Sequence, residues 1–161
     1  MANIRVGMGY DVHQLDYGLP FLLGGFQLNY EKGIVAHSDG DILLHTIADA
    51  LLGAAGLGDI GHFFPDNNPK YKNLDSRVIV AEVLSRLEEL SYKIINTDIT
   101  IVLQKPKIVS IIPEIKRSLS DCLSIEQDRI NIKATTTEWM GFVGQEKGIA
   151  CYAVVLIEKY N

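Results

Sequence analysis

Ile4-Arg5-Val6-Gly7-Met8-Gly9-Tyr10-Asp11-Val12-His13 is the stretch on which the reading of this chain turns. Ile4 to Tyr10 is short and β-prone, and it delivers Asp11 and His13 at its end. On an extended chain, residues two apart share a face. Asp11 and His13 are therefore expected to point at one atom while Val12 points into the core. A second stretch answers this one: His37-Ser38-Asp39-Gly40-Asp41, with His45 four residues further on. Three of the chain's 4 histidines fall in these two stretches, which makes a shared site the first hypothesis. Two imidazoles and one carboxylate, Asp11, His13 and His45, are the ligand set of an open zinc site, whereas Mg²⁺ favours oxygen ligands. On spacing alone a second reading stays open, in which Asp11 is a turn residue and the histidines are satisfied surface groups.

Working outward, Tyr17 to Tyr30 reads as a hairpin, with Phe21-Leu22-Leu23 and Phe26 to Leu28 joined at Gly24-Gly25. His37 to Asp41 reads as a loop opening a helix, with Ser38 or Asp39 as its cap. The helix runs through Ile42, Leu43, His45, Ile47, Ala48, Leu51 and Leu52 and ends near Gly53 to Gly58. Asp41 and His45 are four apart and so share one helical face. Asp59 to Leu74 carries Gly61, Pro65, Asn67, Asn68 and Pro69 and reads as a long surface loop, of the kind that often serves as a lid.

A second helix is expected from about Ser76 to Leu90. A strand follows over Tyr92 to Gln104, with both faces largely buried. Lys105-Pro106-Lys107 is a turn, and a third helix covers Val109 to Leu123, with Pro113 tolerated in its first turn. Ile130 to Thr135 is a strand, Glu138 to Gly148 a loop, and Ile149 to Glu158 the last strand. Mixed strands and helices along one chain predict an α+β fold: one domain over residues 1–161, a sandwich of a mixed β-sheet with helices on one face.

Bulk properties bound the function. A chain of 161 residues with 47% hydrophobic and 22% charged content can bury a core, and it is not of the disordered class. A net charge of −5 gives no general attraction to nucleic acid or to an anionic membrane. An anionic ligand would need a metal, a helix N-terminus or a few lysines. Cys122 and Cys151 form no CxxC pair and read as buried free thiols of a reducing compartment. The start of the chain has no secretory signal, and no run approaches the ~20 apolar residues of a membrane span. The cytoplasm is therefore the expected location; a plastid transit peptide already removed would leave the same start.

Other residues offer two readings each. His37, Ser38, Asp39 and Asp41 cap a helix, or they hold a phosphate on its N–H groups with help from His37. Asp39 or Asp41 also suits the role of orienting a ligating His. Thr135-Thr136-Thr137-Glu138 is a β-prone run entering a turn, or three hydroxyls and a carboxylate for phosphate and a divalent cation. Asp59 and Asp66 border the long loop as turn residues. Lys105 and Lys107 read as solvated, beside a turn whose backbone could line a pocket.

Taken in order along the chain, these motifs resemble the 2-C-methyl-D-erythritol 2,4-cyclodiphosphate synthases of the non-mevalonate isoprenoid pathway. The matching stretches include Gly9 to His13, Ala36 to Asp41 with His45, Asp49 to Ala55 and Leu57 to Gly61. Phe64-Pro65-Asp66, Asp75-Ser76-Arg77, Pro106-Lys107, Lys133 to Glu138 and Gly148 to Cys151 complete the pattern. The resemblance implies a homotrimer with active sites between subunits. It implies zinc or a similar ion on Asp11, His13 and His45, and Mg²⁺ or Mn²⁺ on Glu138. The implied substrate is 4-diphosphocytidyl-2-C-methyl-D-erythritol 2-phosphate, cyclised with loss of CMP.

His37 and Thr136 would be the catalytic hydrogen-bonding groups. Asp11, His13, Ser38, Asp59, Ile60 and Gly61 would contact substrate, and Phe64, Pro65, Asp66, Asn67 and Asn68 would close over it. Leu103, Gln104, Lys105, Pro106, Lys107, Ile108 and Val109 would form the cytosine pocket with Thr135, flanked by Thr137 and Phe142. The chain departs from the family at Gln145, where an Arg is usual, and at His62, where a Lys is common and a solvent-facing side chain is expected. Gln145 lacks the charge and donor fork that would hold an isoprenoid diphosphate on a trimer axis.

Two other classes stand beside the synthase. A zinc phosphohydrolase would yield open-chain products, and it lacks a clear general base other than Asp39 or Asp41. A non-enzymatic trimer binding isoprenoid diphosphates would lack its anchor at Gln145.

Overall fold

A computed structural model describes residues 3–65, 68–71 and 73–160. In chain order the strands are β1 (Ile4–Tyr17), β2 (Phe21–Leu23), β3 (Phe26–Leu28) and β4 (Lys32–Val35). Helices α1 (Ile42–Ala55), α2 (Ile60–Phe63) and α3 (Ser76–Glu89) follow, then β5 (Tyr92–Val102), α4 (Ile112–Leu123), β6 (Ile130–Thr135), α5 (Gly141–Gly144) and β7 (Gly148–Lys159). A five-stranded sheet runs β4-β1-β7-β5-β6, and β2 and β3 form a separate hairpin. Only the β5–β6 pair among these is parallel, so the sheet is mixed. The expected α+β architecture is borne out.

The first strand is longer than expected, and its faces are reversed. Gly7 and Gly9 are buried on the helix side, while Ile4, Val6, Met8, Tyr10 and Val12 are exposed on the other. Val12 thus points away from the core. The cause is contact between backbones: a Cβ at Gly7 would stand 2.0 Å from the Ala50 carbonyl oxygen, and one at Gly9 2.0 Å from that of Thr46. Helix α1 lies directly on β1 because these positions have no side chain, and it is buried nearly throughout.

The face away from the helices is apolar in its middle. Tyr152 and Val154 of β7 join the exposed β1 residues there, and the Tyr10 and Tyr152 rings lie 4.8 Å apart. An antiparallel sheet with one solvated face normally alternates apolar with polar residues; this one does not.

Other expectations are adjusted. Asp41, and neither Ser38 nor Asp39, caps α1. Strand β5 ends at Val102, and only its helix-side residues, such as Thr97, Ile99 and Ile101, are fully buried. The 59–74 segment holds α2 and a 3-10 turn at Pro69–Tyr71, and α5 sits in the expected 138–148 loop. No helix among the described residues is long and apolar enough to cross a membrane.

Candidate functional site

Helix α1 and strand β1 run past each other in step. Four helical residues span about 6 Å and two strand residues about 6.8 Å, so Ala50 over Gly7 and Thr46 over Gly9 brings the start of α1 over Asp11. His45 is thereby carried to the carboxylate. Its Nδ1 lies 3.4 Å from Asp11 Oδ2, and His13 Nδ1 lies 3.2 Å from the same oxygen. Ligand atoms about 2.1 Å from a tetrahedral ion stand about 3.4 Å apart, so the donor set fits one ion. One ligand atom from each of Asp11, His13 and His45 lies within 4.8 Å of the others. Burial pulls the His45 pKa down, but the hydrogen bond and charge of Asp11 outweigh it and leave it raised.

The helix start is organised by Asp41, which is fully buried. Its carboxylate accepts from the N–H of Leu44 at 3.1 Å, Gly24 at 2.9 Å and Gly25 at 2.6 Å. One side chain thus caps α1 and staples the Gly24-Gly25 turn to it. Burial raises its pKa against the three N–H groups that lower it. Capping therefore takes Asp41 out of both phosphate binding and histidine orientation. Asp39 instead accepts from Ser76 N at 3.0 Å and from the Ser76 hydroxyl.

A cleft of about 300 Å³ opens over the three donors, lined by Asp11, His13, His37, Ser38, His45, Ile60, Gly61 and Phe64. Val12, Ala36, Tyr71, Leu74 and Ile79 also line it. None of these five is a site residue by the sequence reading, which puts Val12 in the core, because apolar and aromatic residues carry no chemical signal there. Asp59 is not among the lining residues; it caps α2, accepting from His62 N at 3.0 Å. Asp49, also unforeseen as a site-shaping group, anchors the same segment by accepting from Ile60 N at 2.8 Å. Burial pushes its carboxyl up. His62 is exposed, as expected. Pro65 and Asn68 adjoin this cleft in sequence without lining it, and Asp66 and Asn67 lie outside the described residues.

The second group gathers elsewhere. Leu103, Gln104, Pro106, Lys107, Ile108 and Val109 line a cleft of about 310 Å³ with Ala134, Thr135 and Thr136. The Lys105–Pro106 peptide is cis, and Lys105 pairs with Glu146 at 3.1 Å instead of lining the cleft. Thr136 donates its hydroxyl to Glu138 Oε1 at 3.1 Å, and Glu138 N returns a bond to that hydroxyl at 3.3 Å. Trp139 N donates to Gln104 Oε1 at 3.3 Å, tying this turn to the cleft. Glu138 and Trp139 both hold left-handed φ, 51° and 66°, a strained arrangement worth about 1–3 kcal/mol per residue. The Thr137 hydroxyl is engaged with Met140 O at 2.6 Å, and Phe142 is exposed on α5.

The two clefts share no lining residue. Across the sheet, Asp11 pairs with Cys151, Cys151 with Ile101 and Ile101 with Ala134. Three strand spacings, about 14 Å, therefore separate Asp11 from Ala134 of the second cleft along one end of the sheet.

A model of the YgbB family matches residues 4–158. The chain belongs to the YgbB family. The 2-C-methyl-D-erythritol 2,4-cyclodiphosphate synthase of Listeria innocua serovar 6a is 49% identical over 156 residues, 97% of this chain and 99% of that protein. The bifunctional IspDF from Campylobacter jejuni matches with a TM-score of 0.95 and 38% identity, over 100% of this chain and 44% of its own. A Plasmodium falciparum IspF, solved as a CDP complex, matches with a TM-score of 0.86 and 36% identity, covering 98% of this chain and 97% of its own. The resemblance read from the motifs is thus borne out: this YgbB chain is an enzyme of the cyclodiphosphate synthase class in isoprenoid biosynthesis.

Proposed function

We propose that the chain converts 4-diphosphocytidyl-2-C-methyl-D-erythritol 2-phosphate to 2-C-methyl-D-erythritol 2,4-cyclodiphosphate, releasing CMP, at sites shared between subunits of a homotrimer. One observation carries the reading. The Asp11–His13–His45 cleft and the Thr135–Thr136 cleft lie apart in one chain, while both are expected to serve one substrate. A site built from the first cleft of one subunit and the second cleft of its neighbour reconciles the two. The apolar sheet face of Val6, Met8, Tyr10, Tyr152 and Val154 supports assembly, since large exposed apolar patches mark interaction surfaces.

In this reading the 2-phosphate oxygen bonds to the β-phosphorus as the bond to the α-phosphate oxygen breaks, and CMP departs with that electron pair. Such an intramolecular transfer asks the protein for position and charge neutralisation. Zinc or a like ion held by Asp11, His13 and His45, with Mg²⁺ or Mn²⁺ at Glu138, would supply Lewis-acid polarisation of the phosphate oxygens. His37, at the mouth of the first cleft, donates to a phosphate oxygen, and Thr136 does the same from the second as charge moves toward CMP. Ser38, Ile60, Gly61 and Phe64 enclose the methylerythritol end. Asp59 and the residues numbered 65 to 68 keep, in this proposal, the substrate-contacting role that the family resemblance implies for them. The turn from Leu103 to Val109 with Thr135 seats the cytosine. Gln145 carries no charge of its own where the family usually has an Arg, which keeps an axial isoprenoid diphosphate out of the proposal.

Subunit complementation tests the shared site. His45→Ala and Glu138→Ala chains are unfolded together and reassembled, then assayed at Mg²⁺ limiting for the second variant. Random mixing in a cyclic trimer makes about a quarter of the sites intact, so about that share of activity returns. No recovery from well-mixed trimers contradicts sites between subunits.

A further inference from the structure

We propose that Ser76, held by Asp39, is a positioning residue that fixes the tautomer of His45 and aims its Nδ1 at the metal centre. The argument rests on the reading of Asp11, His13 and His45 as ligands and adds what lies behind them. Ser76 is fully buried at the first turn of α3, and its Oγ lies 2.8 Å from His45 Nε2. Asp39 is held from several sides: its Oδ2 accepts from Ser76 N at 3.0 Å, its Oδ1 from Asp41 N at 3.2 Å, and its own N–H bonds Leu74 O at 3.1 Å. The Ser76 hydroxyl also bonds Asp39 Oδ1.

A carboxylate only accepts, so the Ser76 proton belongs to that bond, and the oxygen's lone pairs are left for His45. His45 Nε2 must then carry the hydrogen. A neutral imidazole protonated at Nε2 has its lone pair on Nδ1, and Nδ1 is the nitrogen 3.4 Å from Asp11 Oδ2.

The alternatives in reach do not fill this role. Both Asp41 oxygens are taken by backbone N–H groups. The Ser38 hydroxyl is further from Nε2, at 3.3 Å, and accepts from Gly40 N at 3.2 Å. The relay Asp39–Ser76–His45 also ties three separate segments to the centre: the loop before α1, the start of α3 and α1 itself. Partners of this kind behind a ligating histidine set ring orientation and raise its basicity.

The test reads zinc affinity by competition with a chelator, and which His45 ring nitrogen carries the hydrogen by ¹⁵N NMR of the zinc-loaded protein, where a cation stands between Nδ1 and the Asp11 carboxylate. The parent is expected in the Nε2–H form. Ser76→Ala is expected to weaken zinc binding about 10- to 100-fold, while Ser38→Ala leaves zinc affinity unchanged. Unaltered affinity in folded Ser76→Ala, or an Nδ1–H tautomer in the parent, overturns the relay. Should Ser76→Ala fail to fold, the parent tautomer decides. A parent that takes up no zinc refutes the metal reading itself, a result distinct from a parent that binds zinc with the wrong tautomer.

Discussion

Gly9 faces the carbonyl oxygen of Thr46 so closely that a Cβ there would stand 2.0 Å away, and a second backbone atom, Ala50 N, would be at 3.0 Å. Both neighbours belong to the helix backbone, which cannot rotate aside as a side chain would. Gly9→Ala must therefore lift α1 off β1, at a cost of about 3 kcal/mol or more. His45 rides on the same helix, so zinc affinity should fall with stability. Gly53, also in α1, has nothing within 4 Å of its would-be Cβ. Gly53→Ala is expected to stabilise by about 0.5–1 kcal/mol. Urea titration of both variants checks the pair: a neutral Gly9→Ala would refute the close packing.

His45→Ala removes the proposed ligand that α1 brings to Asp11 and His13. Metal retention and activity should vanish together, read as bound zinc per chain after dialysis beside turnover. A variant that is metal-free yet fully active refutes the assignment of the centre.

Glu138→Ala leaves Asp11, His13 and His45 untouched. Zinc content should match the parent while the Mg²⁺ concentration for half-maximal turnover rises. The substitution also removes the acceptor of the Thr136 hydroxyl. An unchanged Mg²⁺ titration would take Glu138 out of its role.

Much of the fold was legible because the signals were local. The Gly24-Gly25 hairpin, the helix from Ile42 and the Ile130–Thr135 strand follow from turn residues and periodicity. The faces of β1 were not legible. An apolar alternation normally marks the core side, yet here Gly7 and Gly9 form that side because a helix backbone rests on them. The three metal-binding candidates were visible from type and spacing, and the two remote clefts only from the family pattern. Ser76 and Asp49 stand in stretches that match the family, yet neither shows its role there, since each reads locally as an ordinary helix residue. Their partners, His45 and Ile60, are set by how α3 and the 59–74 segment pack on α1.

Cys151 is buried between β1 and β5, and burial pushes its thiol pKa up to about 12. The folded form favours the protonated thiol, so its contribution to stability is complete below the unfolded value of about 8.5. That contribution is lost as pH rises from there through the folded pKa. Stability should fall more steeply between pH 9 and 11 in the parent than in Cys151→Ala. Iodoacetamide at pH 8 should label this position only on unfolding. Equal pH slopes in the two proteins would contradict it.

The most direct test of the central claim is ³¹P NMR of the zinc-loaded protein with 4-diphosphocytidyl-2-C-methyl-D-erythritol 2-phosphate and Mg²⁺. The account predicts stoichiometric CMP and a coupled pair of cyclic diphosphate resonances. CMP accompanied only by open-chain phosphates would contradict it and mark a hydrolase. Absence of turnover by a metal-loaded trimer would contradict it as well, and mark a binding protein.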